Sequence, residues 1–134
     1  MLSRPMSLLY GMCVLTLLTG CASEPAGSVT GIVKVDGQPT GGFFVHFEPE
    51  DKTDGDPLGS AGKDGTYQIY MARGNDQIPT GKYKVYLEPT DQIEGVSRPK
   101  VKLGPEFTKA DSTTIMKEVV GGKNVIDIEV TSSK

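Results

Sequence analysis

Residues 59–89 contain two short stretches in which apolar and polar residues alternate. The apolar positions are Tyr67, Ile69 and Met71 in the first stretch and Tyr83, Val85 and Leu87 in the second. A period of two over five or six residues is typical of a half-buried β-strand. We therefore expect the two strands to form the centre of a sheet.

A turn signal precedes each of these strands, and each strand opens with a Gly-x-Tyr sequence. Asp64-Gly65 predicts a tight hairpin turn of type I′, because that turn needs positive φ at both of its central residues. Pro79-Thr80-Gly81 also carries turn residues before the second strand.

Similar alternation predicts further strands at 29–35, at 43–48 and at the C-terminus through Ile126, Ile128 and Val130. The segments 36–39 and 121–124 are predicted to turn the chain. Residues 113–120 are prone to form a strand, with either Ile115 and Val119 or Met116 and Val120 facing inward. Residues 90–110 show no sustained period, so we expect a long surface connection with room for one short edge strand near 100–103.

Six to eight short strands separated by Gly and Pro turns predict an all-β fold, an antiparallel β-sandwich, with an open barrel as the second choice. A helical period appears only near the N-terminus. The six residues predicted to form the core across two sheets are Phe47, Tyr67, Ile69, Val85, Leu87 and Ile128.

The first twenty residues have the pattern of an export signal. Arg4 precedes an apolar stretch at 7–18, which is too short for a membrane span of roughly twenty residues. The stretch ends in Leu18-Thr19-Gly20-Cys21, which resembles the lipobox of bacterial lipoproteins. That resemblance implies cleavage before Cys21 and lipid attachment to it. An ordinary secretory signal that happens to end in Cys is the alternative.

This interpretation divides the chain into a signal peptide (1–20), a lipidated Cys21 with a flexible tether (21–28) and a β-sandwich domain (29–134). The mature domain then has no free thiol. The full chain has a net charge of −3, and removal of the signal peptide with Arg4 gives the mature domain a net charge of −4. The chain lacks a basic cluster that stands out in the sequence, so nucleic acid is not an expected partner.

Several short motifs occur in an order that resembles one family. They are Gly31-x-Val33-x-x-Asp36-Gly37-x-Pro39, Val45-x-Phe47-x-Pro49, Gly62-x-Asp64-Gly65-x-Tyr67, Gly81-x-Tyr83-x-Val85 and Gly122-Lys123-Asn124. Together they resemble the carboxypeptidase-regulatory-like, or transthyretin-like, domain of small bacterial lipoproteins. The resemblance spans nearly all of 29–131 and implies a seven-stranded immunoglobulin-like sandwich. It does not imply peptidase activity, because that module is an accessory to a catalytic domain.

Few residues are candidates for chemistry. His46 is the one histidine, and it falls on the predicted outer face of its strand, opposite Phe43, Val45 and Phe47. A zinc site needs three or four ligands, and a serine nucleophile needs a constrained turn, yet the sequence contains no Gly-x-Ser-x-Gly. We therefore predict no catalytic residue, no metal ligand and no cofactor.

Two surface features remain as possible binding sites. The acidic loop 48–56 carries Glu48, Glu50, Asp51, Asp54 and Asp56, which either bind calcium or only increase solubility. Phe44 and Tyr70 occupy predicted outer positions, where they either pack against other chain segments or line a surface for a sugar or peptide.

The sequence therefore predicts a non-catalytic, lipid-anchored module of the bacterial cell envelope, structural or binding a protein or glycan. A calcium-dependent carbohydrate binder or a small hydrolase that uses the acidic loop is the alternative. Ala22 and Ser23 follow Cys21, where some bacteria use Asp for inner-membrane retention. The outer membrane is therefore favoured.

Replacing Cys21 with Ser tests the lipid anchor. The hydroxyl is not the thiol that accepts the diacylglycerol, so the variant should lose lipid attachment and leave the membrane fraction. Fractionation and detergent partitioning measure this. A variant that stays in the membrane fraction would contradict the prediction.

Overall fold

The computed structural model describes residues 25–51 and 55–133. The predicted signal peptide, Cys21 and residues 22–24 of the predicted tether lie outside these residues. None of the helices among the described residues has the length and hydropathy that crossing a membrane requires.

Ten strands account for most of the regular structure. In chain order they are β1 (Ala26–Val35), β2 (Gln38–Pro39), β3 (Phe43–Pro49), β4 (Leu58–Ala61), β5 (Thr66–Tyr70), β6 (Ile78–Pro79), β7 (Gly81–Pro89), β8 (Ile115–Val119), β9 (Gly122–Val125) and β10 (Ile128–Val130). A 3-10 turn (Ala72–Gly74) and one short helix, α1 (Pro105–Thr108), complete the set.

The strands form one curled sheet in the order β10-β1-β5-β4-β3-β7-β8, with β2, β6 and β9 also paired to β1. Buried side chains from both halves of this order belong to a single apolar cluster. The Phe47 ring in β3 lies 6.4 Å from the Tyr67 ring in β5 and 5.8 Å from the Tyr83 ring in β7. The two tyrosines of the Gly-x-Tyr sequences therefore contact the same side chain, Phe47. Because the curled sheet encloses one apolar core, the fold is all-β and sandwich-like.

The six residues of the predicted core are buried as expected, but they belong to one curled sheet rather than to two sheets. Phe47, Ile69, Val85, Leu87 and Ile128 are fully buried, and Tyr67 is 4 % exposed. The two possible facings of the eighth strand are also resolved, since Val119 is buried and Ile115 packs against the core whereas Met116 is exposed.

The expected type I′ turn occurs, but at a different Asp-Gly pair. Asp36 and Gly37 both have positive φ, 52° and 82°, and they join β1 to β2. At Asp64-Gly65, only Gly65 has positive φ. The Gly65 N–H donates to the Gly62 carbonyl, and the Gly62 N–H donates to the Thr66 carbonyl. The hairpin predicted at Asp64-Gly65 is therefore present between β4 and β5, but its loop is longer than a type I′ turn and ends in a left-handed glycine.

Strands β5 and β7 are not neighbours, which corrects the expectation that they form the centre of a sheet together. Each is paired on both edges, but β4 and β3 lie between them. The segment before β7 is a corner rather than a simple turn, because β6 pairs with β1 whereas β7 pairs with β3. The Tyr83 hydroxyl donates to the Pro79 carbonyl at 2.5 Å and ties this corner together.

The predicted seven antiparallel strands become ten, and β9 and β10 run parallel to β1. Strand β8 lies at the far edge of the sheet, so the chain crosses back to β1 and enters beside its first residues, with Gly122 opposite Gly27. The segment 122–124, predicted as a turn, is therefore part of a strand.

Two boundaries also differ from the prediction. Residues 26–28, assigned to the tether, belong to β1, where pairing on both edges overrides the weak strand propensity of Ala, Gly and Ser. Residues 90–110 are mainly irregular as expected, but residues 100–103 form no strand and α1 follows them.

Truncation of Leu87 to Ala measures the contribution of this core. Leu87 is fully buried, so the variant should lose roughly 2–5 kcal/mol of unfolding free energy through lost apolar burial and a residual cavity. Val125, which is 77 % exposed, provides the matched control, and Val125→Ala should change stability by less than about 0.5 kcal/mol. Equal losses in urea denaturation would contradict the assigned facing.

Candidate functional site

An open groove of about 650 Å³ lies on the solvent-facing side of β1, β5 and β4. We call it the sheet-face groove. Its lining includes the outward side chains Thr30, Leu58, Ser60, Thr66, Gln68 and Tyr70. All ten lining residues are uncharged: hydroxyl, amide, aromatic, aliphatic or glycine. The groove therefore combines neutral hydrogen-bonding groups with apolar surface.

The groove lies where the sheet curls around β5. The first half of β5 pairs with β1, through Thr66–Gln68, and its second half pairs with β4, through Ile69 and Tyr70. Each edge of β5 is thus paired over part of its length, which leaves no edge free along the whole strand for an incoming peptide. A ligand of this groove must contact side chains instead.

Gly59 allows β4 to approach β5 closely beneath the groove. A Cβ at this position would lie 2.6 Å from the Gln68 carbonyl oxygen and 2.9 Å from Ile69 Cδ1. Gly31 plays the same part in β1, since a Cβ there would overlap the Ile126 carbonyl and crowd the Tyr67 ring. A larger residue at either position would push the strands apart.

The two tyrosines of β5 point to opposite sides of the sheet. Tyr67 faces the core, its hydroxyl donates to the Ile126 carbonyl, and burial raises the pKa of this phenol far above its ordinary value. Tyr70 is 41 % exposed, and its hydroxyl donates to the Gln68 side-chain oxygen at 3.0 Å. Tyr70 thus presents an aromatic surface at the groove while Gln68 orients its hydroxyl.

A second group of side chains adjoins the groove on the same face. Leu58 pairs with Tyr70 on one side and with His46 on the other, and His46 pairs with Tyr86. The His46 and Tyr86 rings stack with their centroids 4.4 Å apart and their planes at 4°. Four strands therefore carry a continuous row of apolar and aromatic side chains, about 15 Å across at the usual strand spacing.

His46 lies on the outer face as predicted, but it is not a bare solvent-facing side chain. Its Nε2 lies 2.8 Å from Oε2 of Glu88, and its side chain is 20 % exposed. Among the described side chains, this is the one contact within 4.0 Å between a basic and an acidic group. Replacing His46 with Ala would therefore remove both the stacking on Tyr86 and the hydrogen bond to Glu88.

Acidic residues surround Tyr86. Burial raises the pKa of Tyr86 above its ordinary value, and the negative charges of Glu48, Asp56 and Glu88 raise it further. Two members of the predicted acidic loop thus lie near the stacked pair. Over residues 25–51 and 55–133, however, no three His, Cys, Asp or Glu side chains are grouped so that they could hold a metal ion.

The two aromatic residues that the sequence singled out lie on different strands of the same sheet face. Tyr70 lines the sheet-face groove, whereas Phe44 is half-buried in β3 between Ser60 and Glu88. Cys21 and residues 52–54 of the acidic loop lie outside the described residues. Sequence reasoning missed Gln68, Ser60 and Thr30, for which strand alternation indicates an outward direction but does not indicate a shared site.

Comparison with known proteins supports the fold and does not identify the chain. No family model matches the sequence, and no curated protein does. A DUF3823 family protein from Parabacteroides merdae is similar in structure, with a TM-score of 0.50 and 14 % identity over 82 % of this chain. The Bacillus anthracis TIE protein aligns over 81 % of this chain with a TM-score of 0.44 and 12 % identity.

This chain spans about half of the Parabacteroides protein, 48 % of its length, and 17 % of the Bacillus protein. At such identities the first likeness shows a shared all-β fold and nothing about activity.

A double-mutant cycle over His46 and Glu88 measures their interaction. Cross-strand pairs on an exposed face typically contribute about 0.2–1 kcal/mol, so the coupling between His46→Ala and Glu88→Ala should fall in that range. Thermal and urea unfolding of the single and double variants give the value. Glu48 and Lys84 face each other on the same two strands without an ion pair within 4.0 Å, so their coupling should be smaller. Equal couplings would contradict the assigned role of the His46–Glu88 contact.

Proposed function

We propose that this protein is a non-catalytic, lipid-anchored module of the cell envelope that binds an uncharged glycan through the sheet-face groove. The observation that carries the proposal is the lining of that groove, where Ser60, Thr30 and Gln68 surround the exposed Tyr70 and no charged residue occurs. Saccharide hydroxyls suit hydroxyl and amide partners, and the C–H face of a sugar ring suits an aromatic surface.

The position of the groove favours a glycan over an extended peptide. Peptides that bind sheets usually add a strand to an unpaired edge, whereas β5 pairs with β1 through residues 66–68 and with β4 through residues 69–70, so neither of its edges is free along the whole strand. A glycan needs only side chains on an open face, and the row from Tyr70 to Tyr86 extends the available surface beyond the groove.

The finer family assignment belongs to the same proposal. The Tyr83 hydroxyl that donates to the Pro79 carbonyl, at the corner before β7, resembles the tyrosine corner of immunoglobulin-like sandwiches. This contact and the order of the sequence motifs support a carboxypeptidase-regulatory-like domain. The lipobox at Cys21 supports a lipid anchor, with the domain facing the periplasm or the exterior.

Replacing Tyr70 with Ala tests the glycan site. The change removes the exposed ring, so affinity for an uncharged oligosaccharide should fall about tenfold, or ~1.4 kcal/mol. Calorimetry with neutral glucan and chitin oligosaccharides measures the affinity. Tyr70→Phe should keep most of it, because the ring remains, and Met116→Ala should change nothing, because this exposed residue lies at the distant edge strand.

Three results would contradict the proposal. One is the absence of binding to any neutral oligosaccharide, and a second is binding that Tyr70→Ala leaves intact. The third is turnover of glycosides, esters, peptides or phosphates by the wild-type chain. Binding that disappears when calcium is removed would instead favour the calcium-dependent alternative.

A further inference from the structure

A second groove, of about 470 Å³, lies on a different part of the surface. We call it the basic groove. Its lining includes Arg98, Lys100 and Lys102 together with Pro89, Pro99 and Ser133. It shares no residue with the sheet-face groove.

The basic groove is built by a segment that is not a strand but alternates like one. Arg98, Lys100 and Lys102 are exposed, whereas Pro99, Val101 and Leu103, which alternate with them, are half-buried. Val101 and Leu103 pack against the apolar core. The alternation therefore places three positive charges along the exposed side of the segment. The side chains between them hold the segment against the protein.

Two further contacts hold this segment in place. The Lys102 carbonyl accepts hydrogen bonds from the Ser133 backbone N–H at 2.7 Å and from its hydroxyl at 3.2 Å. Gly42 lies beneath Pro99, and a Cβ on Gly42 would come within 2.6 Å of Pro99 Cδ. The groove thus has a supported wall, although it lies in an irregular connection.

The three positive charges have no local counterion among the described residues. No described carboxylate lies within 4.0 Å of Arg98, Lys100 or Lys102. Among the described residues, the one contact of this kind is His46–Glu88, which lies elsewhere. The whole chain carries a net charge of −3, so this cluster is a local exception to the overall charge. It is available to an anionic ligand.

We infer that the basic groove binds an acidic polysaccharide, such as a polymer of uronic acids. Carboxylates spaced along the polymer pair with the three cations, while the C–H faces of the sugar rings pack on Pro89 and Pro99. A simple phosphate polymer would use the cations but not the apolar wall, and this favours the sugar polymer. The inference does not depend on the sheet-face groove, because the two surfaces share no residue.

The position of the groove suits a ligand remote from the lipid anchor. Ser132 and Ser133 follow β10 beside the end of β1, where the Ser132 N–H and hydroxyl both donate to the Asp36 carboxylate. Strand β1 has ten residues, so this end lies about 30 Å from Ala26, where the chain leads toward Cys21. An anchored molecule can thus present the basic groove away from the membrane.

Binding of polygalacturonate to the full chain in neutral detergent tests the inference, with fully methyl-esterified polygalacturonate as the uncharged control. The wild-type chain should bind the acidic polymer and not the ester. The logarithm of its affinity should fall with the logarithm of salt concentration with a slope of about −2 for three contacts.

The double variant Lys100→Gln, Lys102→Gln should weaken binding about tenfold, as expected for two exposed ion pairs. Lys82→Gln, Lys123→Gln removes the same charge from exposed positions elsewhere and should weaken it less than twofold. Lys100→Arg, Lys102→Arg should restore binding. Thermal unfolding midpoints show that each variant is folded.

Four results would overturn the inference. Two concern the variants: equal losses of affinity in the two Lys→Gln double variants, and loss of polygalacturonate binding in Tyr70→Ala. Two concern the ligand: the esterified polymer binding as tightly as polygalacturonate, and polyphosphate or single-stranded DNA doing so. Loss of binding in Tyr70→Ala would place the acidic polymer in the sheet-face groove. Failure of neutral oligosaccharides to bind, with polygalacturonate binding intact, would contradict the proposed function and leave this inference standing.

Discussion

Strand β1 is paired along both of its edges, and the rest of the sheet depends on that pairing. One edge meets β6, β5 and β2, and the other meets β9 and β10, which run parallel to it. Between β9 and β10 the ladder is interrupted, and the Asp127 carboxylate accepts the Ile32 N–H at 3.0 Å in place of a backbone carbonyl. The Asn124 side chain holds the start of this segment against β1. Its amide oxygen accepts the Val120 N–H, and its amide nitrogen donates to the carbonyls of Val120 and Ser28. The first and last strands therefore hold each other, although almost a hundred residues separate them.

The pairing of β5 and the course of the C-terminal segment shape the two candidate surfaces. Strand β5 pairs with β1 through residues 66–68 and with β4 through residues 69–70, and the sheet curls at β5. The curl requires close approach at Gly31 and Gly59, and the sheet-face groove lies above that bend. The chain that leaves β10 then lies against the Lys102 carbonyl and supports the basic groove. The C-terminal segment therefore supports the basic groove, whereas the sheet-face groove depends on the pairing of β5.

Much of the local structure could be predicted because it depends on neighbouring residues. Alternation in the sequence indicated the facing of Val33, Val45, Ile69 and Val85, and all four are buried. The strand partners could not be predicted, because pairing depends on contacts between distant parts of the chain. His46 meets Glu88 across 42 positions only through the β3–β7 register, and Gln68 comes beside Ser60 only through the β4–β5 hairpin. The parallel course of β9 and β10 has no local signal at all, so an antiparallel arrangement was expected.

The central claim is that a neutral glycan binds on the solvent-facing side of β5. The most direct measurement is amide and side-chain NMR of the isotope-labelled protein during titration with an uncharged oligosaccharide. We expect saturable shift changes at Thr30, Ser60, Gln68 and Tyr70, with smaller changes near His46 and none at Lys100 or at the edge strand β8. Changes confined to β8 or to residues 98–103, or no change at millimolar saccharide, would contradict this claim.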